Sequence, residues 1–206
     1  MRFAEVTLSA PLDLRDYYGG ELGLPLDDDA IVVGETRLRF RVEHGGAFYH
    51  FALLVPGDRF EAALAWALER VELLGDVFDF ANWNAQAVYF HDPAGNIVEL
   101  IAHHGLEESG REGAFAATEL LGFSELGVVG DRPSLLHALE ELGLQLWDGT
   151  IEGRDRLAFV GERGRTFILA PEGRGWLPTG RPAEPHPVEA RFRLDGADGN
   201  FSTRRP

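Results

Sequence analysis

The sequence predicts an α+β protein built from a repeated unit, and two observations point to it. The order strand, helix, strand, strand, with a further strand in places, recurs three times along the 206 residues. The unit starts also echo one another, as Glu5-Val-Thr-Leu-Ser, His50-Phe-Ala-Leu-Leu and Glu125-Leu-Gly-Val-Val. Self-similarity of this kind marks a modular fold.

In the first unit, Phe3 to Ser9 alternates as a strand. Leu14, Tyr17, Tyr18 and Leu22 give the segment 12–22 an apolar helical side, and Gly23 and Pro25 end it. The acidic turn Asp27-Asp28-Asp29 precedes short strands at Ile31–Val33 and Leu38–Val42. The second of these places Arg37, Arg39 and Arg41 on one face.

The second unit opens with a strand at Tyr49–Val55. Asp58 and Glu61 form a capping-box-like pair ahead of a helix carrying Phe60, Leu64, Ala67, Leu68 and Val71. A strand at Val77–Phe80 and the loop Asn82-Trp83-Asn84 lead into Gln86–Phe90. Asp92-Pro93-Ala94-Gly95 is turn chemistry, and Ile97 to Ile101 is the return strand. Within it, Glu99 shares a face with Ile97 and Ile101, so its carboxylate sits in apolar surroundings and calls for a cation, a metal or a proton.

A polar linker from Gly105 to Gly113 precedes the third unit. That unit has a strand at Glu125–Val129, a helix from Pro133 to Leu142 closed by Gly143, and strands at Leu157–Val160 and Phe167–Ala170. Residues 172–187 are rich in Gly, Pro and Arg and read as an arm over the surface. Val188 to Leu194 reads as a last strand, and 195–206 as a frayed tail.

Composition excludes several chemistries. Net charge is −15, which argues against nucleic acid and anionic membranes as partners. There is no Cys, so any metal is held by His, Asp or Glu. All 19 basic residues are Arg, which rules out a lysine Schiff base and a phosphate-binding P-loop. No run of about 18 apolar residues is present, and the opening residues begin a strand. The expected location is the cytoplasm.

Asp92-Pro93-x-Gly95-Asn96-x-x-Glu99-Leu100, with His50 opening the same unit, resembles the vicinal oxygen chelate superfamily of glyoxalases, extradiol dioxygenases and bleomycin-resistance proteins. The resemblance covers 1–104 well and 121–171 weakly. It implies paired βαβββ modules in 1–104 forming a curved-sheet cup, a linker at 105–120, a third degenerate module with an arm at 121–194, and a tail at 195–206. It also implies metal ligands at Glu5, His50 and Glu99 for a divalent ion such as Fe(II) or Mn(II). One strand register fits this set, because Val6/Leu8, Phe51/Leu53 and Val98/Leu100 then face outward and are all apolar. Three departures stand out. Arg37, Arg39 and Arg41 occupy the strand that would supply a fourth, acidic ligand in a glyoxalase-like site. Glu5 stands where dioxygenases carry a first His. Glu125 repeats the Glu5 position in a unit without the turn motif, so it is expected to be architectural.

The resemblance implies an enzyme that chelates vicinal oxygens of a small, possibly anionic substrate, with Glu5 or Glu99 as a base and Arg39 orienting the anion. The alternatives are a metal-free protein that sequesters a ligand, and a purely structural array. An Arg39 pair with Glu5 or Glu99 would favour the metal-free protein. The third unit, lacking a partner, is expected to make the chain a homodimer.

Overall fold

The computed structural model describes residues 1–204. β1 (Arg2–Ala10), β2 (Leu26–Asp27), β3 (Ala30–Val33) and β4 (Thr36–Val42) form the first unit. Its helix is only a wide π-type turn at Asp16–Glu21, closed by the Leu22 amide donating to the Tyr17 carbonyl at 3.1 Å. Gly19 and Gly20 at its centre weaken helical order. Burial of Leu14, Tyr18 and Leu22 holds the segment in place.

The second unit comprises β5 (His50–Val55), α1 (Phe60–Leu68), β6 (Phe78–Phe80), β7 (Ala85–His91) and β8 (Ile97–His103). The third comprises β9 (Gly122–Val129), α2 (Arg132–Glu141), β10 (Leu146–Gly149), β11 (Ala158–Glu162) and β12 (Arg165–Ala170). Asp131 caps α2 through the Ser134 amide at 3.2 Å. Asp58 does not cap α1. Its carboxylate instead accepts from the amides of Ser109 and Gly110 at 2.8 and 2.7 Å, which ties down the linker.

The strands make two sheets. The larger runs β10-β11-β12-β9-β5-β8-β7-β6. Its centre is an antiparallel seam between β5 and β9, with Ala52 opposite Glu125 and Phe51 opposite Leu126. The curved cup is therefore shared by the second and third units. This corrects the expected pairing within 1–104. β1 bonds to β4 on one side and to β13 (Val188–Leu194) on the other, in the sheet β14-β13-β1-β4-β3-β2. The physical reason is the arginine row. A face carrying Arg37, Arg39 and Arg41 beside Glu5 is solvated, as an antiparallel or mixed sheet with one wet face allows.

The third unit is thus no unpartnered half. Its first strand completes the cup in the same chain, and the open edge of β1 is covered by the chain's own arm. The premise for a homodimer through that unit is gone. The tail is also ordered: β14 (Ala197–Ser202) pairs with β13, and Phe201 is buried. The turn between them, Asp195-Gly196, has φ of 50° and 83°, the left-handed pair that a tight hairpin requires.

The inner face of the smaller sheet packs on the convex back of the larger one. Phe3 meets Phe123 and Phe167 with ring centroids 6.2 and 5.0 Å apart. The helices share this main core through Phe60, Ala63 and Leu139. A second, smaller core lies in the concave face, where Ala52, Ala87, Ile101 and Ile168 lie under Trp176 of the arm. Among the described residues no helix is long and apolar enough to cross a membrane.

The Asp-Pro-x-Gly-Asn turn is a lock between units. The Asp92 carboxylate accepts from the amides of Ala94 and Asn96 at 3.0 Å each, from the Asn96 side chain at 2.7 Å and from the Tyr18 hydroxyl at 2.8 Å. The Asn96 side-chain oxygen, Oδ1, accepts from the Tyr49 amide at 2.8 Å, one residue before His50. Asp92→Ala leaves several buried donors unpaired and should cost about 2–4 kcal/mol. Chemical denaturation checks this, and a loss under about 1 kcal/mol would contradict the lock.

Candidate metal centre

The register of the larger sheet brings three side chains together. Ala52 of β5 lies between Glu99 of β8 and Glu125 of β9, being paired with both. Alanine leaves room above it, so the two carboxyl groups lean toward each other over its methyl. His50, two residues back on β5, projects from the same face. The candidate ligand atoms of His50, Glu99 and Glu125 all lie within 4.8 Å of one another, and all three residues are buried.

A two-step pattern relates the two halves of the cup. His50 pairs with Ile97 and Ala52 with Glu99, while Glu125 pairs with Thr166 and Gly127 with Ile168. His50 therefore corresponds to Glu125, and Glu99 to Ile168. The fourth position of the constellation is apolar, so the chain offers three ligands.

Each ligand is oriented. Nδ1 of His50 sits 3.1 Å from the Ile97 carbonyl and donates to it, which leaves Nε2 as a lone pair aimed at the carboxylates. Nε2 lies 3.4 Å from Glu99 Oε2. With the imidazole neutral, that contact is not an ion pair. Burial pushes the imidazole down to about 4, aided by the charge of Arg174, and burial beside Glu125 pushes Glu99 well above the usual carboxylate range. Burial raises Glu125 as well. Tyr89, cross-strand from Glu99, offsets part of that acid's rise and is itself held protonated by burial.

These residues fit a divalent cation. Glu99 and Glu125 are buried acids with no arginine within ion-pairing distance among the described residues. Metal–ligand bonds of about 2.0–2.2 Å place ligands roughly 3–4 Å apart, so only small side-chain adjustments separate this geometry from coordination. One nitrogen and two oxygen donors suit Fe(II) or Mn(II). The cavity above them is small, about 60 Å³.

Glu5 does not join them. Burial raises its carboxyl, but hydrogen bonds from Arg39 at 3.1 Å and Arg191 at 2.9 Å outweigh that and hold it low. Arg39 also pairs with Asp29, and Arg37 with Asp27, which accounts for the acidic turn. The Arg39–Glu5 pair therefore exists outside the cup and leaves the cup acids unneutralised. Arg39 is accordingly no substrate ligand of this cup. Glu125 takes the place expected of Glu5, because the cup pairs the second unit with the third rather than with the first. Its sequence signal was present in the echo of the unit starts. His103 lies apart from the cluster, stacked near Trp83 at 6.2 Å, and burial holds it neutral. His104 is tied to Gly57 and Gln86.

No family model matches the sequence, and no curated protein matches it. Among solved structures the chain is similar to one described as a "putative dioxygenase" from Bacillus subtilis subsp. subtilis str. 168, at 19% identity and a TM-score of 0.54, covering 82% of this chain and 63% of that one. It is also similar to glyoxalase I from Zea mays, at 15% identity and a TM-score of 0.53, covering 82% of this chain and 66% of that one. The chain spans less than two thirds of either structure. At these identities the likeness is one of fold alone, the glyoxalase-type βαβββ fold.

Proposed function

We propose that this chain, with the fold of the vicinal oxygen chelate superfamily, is a divalent-metal enzyme acting on a small molecule with two neighbouring oxygens. The convergence of His50, Glu99 and Glu125 at the floor of the cup carries this reading. When bound there, Fe(II) or Mn(II) supplies Lewis acidity to the chelated oxygens. Three protein ligands, with Ile168 in the fourth position, leave coordination sites free for that chelation.

The chain's own residues do the rest. His50 is fixed in one tautomer by the Ile97 carbonyl, so its Nε2 needs no reorganisation to ligate. Glu99 and Glu125 would be held as carboxylates by a bound cation, and either one, leaving the ion, could take a proton from a bound carbon or oxygen acid. Tyr89 steadies the Glu99 carboxyl while it does so. Trp176 packs on the His50 ring with centroids 5.0 Å apart and keeps water from the floor.

Protein purified without chelators should carry on the order of one equivalent of divalent metal per chain, and His50→Ala should carry almost none. Metal-free wild-type protein that also fails to bind added Fe(II) or Mn(II) would exclude this function.

A further inference from the structure

We propose that Arg174 is the anion-binding residue of this cup and that the site takes small carboxylic acids with an apolar body. This rests on the metal-enzyme reading for its charge balance, but its test does not depend on metal. Arg174 stands on the strap of residues 171–187, which crosses the concave face. The strap is held by its own backbone, with Gly173 donating to Ala183 at 2.8 Å, Ala183 to Arg174 at 2.7 Å and Trp176 to Arg181 at 2.9 Å. Gly127 on β9 makes room for it, since a Cβ there would lie 3.1 Å from the Trp176 ring. The arginine is thus carried on a defined scaffold to the wall of the cavity that Glu99 and Glu125 also line.

Its guanidinium is poised rather than spent. Nε donates to the Asp155 carbonyl at 3.3 Å and Nη1 to the Gly175 carbonyl at 2.9 Å. Both partners are neutral backbone groups that orient the fork, and the Asp155 carboxylate nearby attracts it through space without forming an ion pair. Among the described residues no carboxylate ion-pairs with it, in a chain where Arg39, Arg59 and Arg165 all do. Among the described residues it is the one cation in the lining of the cavity.

Charge then defines the ligand. With His50 neutral, the carboxylates of Glu99 and Glu125 balance a divalent ion. The charge of Arg174 is left over, and a monoanion completes the site. A planar fork recognises a carboxylate with two parallel hydrogen bonds. The remaining walls are Phe80, Trp83, Leu157, Phe159 and Leu177, which offer the rest of the ligand only apolar contact. The cavity of about 60 Å³ admits a slim ligand of a few heavy atoms, and anything larger must displace the strap.

The test uses 2-hydroxybutyrate and its neutral amide, 2-hydroxybutyramide, as probes in calorimetric titrations. The full chain is titrated both Mn(II)-loaded and metal-free. In Arg174→Gln the acid should bind about ten- to a hundredfold more weakly, with amide binding nearly unchanged. Arg174→Lys, which keeps the charge, should retain most of the acid affinity. Mn(II) titrated alone should bind Arg174→Gln at least as tightly as the wild type, because the substitution removes a positive charge beside the site. The proposal is overturned if Arg174→Gln weakens acid and amide alike, leaves the acid unaffected, or if neither probe binds the wild type. Failure to bind Mn(II) removes the metal reading alone, and the metal-free acid and amide titrations then decide on Arg174.

Discussion

Glu125→Ala should abolish Mn(II) binding, and Glu5→Ala should leave it unchanged. The two residues stand at equivalent places in their repeats but meet opposite surroundings. Glu125 is buried beside Glu99 and His50 with no arginine ion-paired to it among the described residues, whereas Glu5 is already neutralised by Arg39 and Arg191. Loss of a ligand should weaken the ion by at least about a hundredfold, the upper end of what loss of an outer-shell partner costs. Titration followed by electron paramagnetic resonance of free Mn(II) reads this directly. Equal loss in both variants would mean that the arginine pairs of Glu5 do not describe the protein in solution.

The second large effect is on stability. In the metal-free protein Glu125→Gln should be more stable than the wild type at pH 8, by on the order of 2 kcal/mol, with the gap closing toward pH 5. Burial raises the Glu125 carboxyl above its ordinary value of 4.5 in the folded state. Such a group contributes stability that is fully present below its unfolded value and is lost as pH rises through the folded one. Glutamine does not ionise, so it escapes that loss. His50 acts in the opposite direction. Burial lowers its value from 6.5 to about 4, so its share is lost as pH falls through that interval, equally in both proteins. Denaturant titrations with a chelator present, at pH 5 and pH 8, measure the difference. Saturating Mn(II) should reverse the order, because only the wild type gains the binding free energy. A wild type that is more stable than Glu125→Gln at pH 8 without metal would contradict the uncompensated acid.

The sequence made the modules legible because strand alternation and helical spacing are local. It made Glu99 legible because an acid between Ile97 and Ile101 breaks an apolar face. His50 was legible from its place at the head of a unit. Which two units pair was not, since that depends on contacts between β5 and β9, 70 residues apart in the chain. Two clues favoured the observed partner. Gly19-Gly20 denies the first unit a full helix, and Arg37, Arg39 and Arg41 make its sheet face a wet one. The ordered tail had a local signal as well, in Asp195-Gly196 between a strand of alternating Val188, Ala190 and Phe192 and the apolar Phe201. The strap's descent into the cup had none, because its seat is set by the space over Gly127, a feature of the folded sheet.

The central claim is that a cup shared by the second and third units holds one divalent ion, and locating that ion tests it most directly. Anomalous diffraction at the manganese edge from crystals grown with Mn(II) should show one strong peak about 2.0–2.3 Å from His50 Nε2 and from one oxygen each of Glu99 and Glu125, beneath Trp176. A peak beside Glu5, or none in the cup at full Mn(II) occupancy elsewhere, would contradict it.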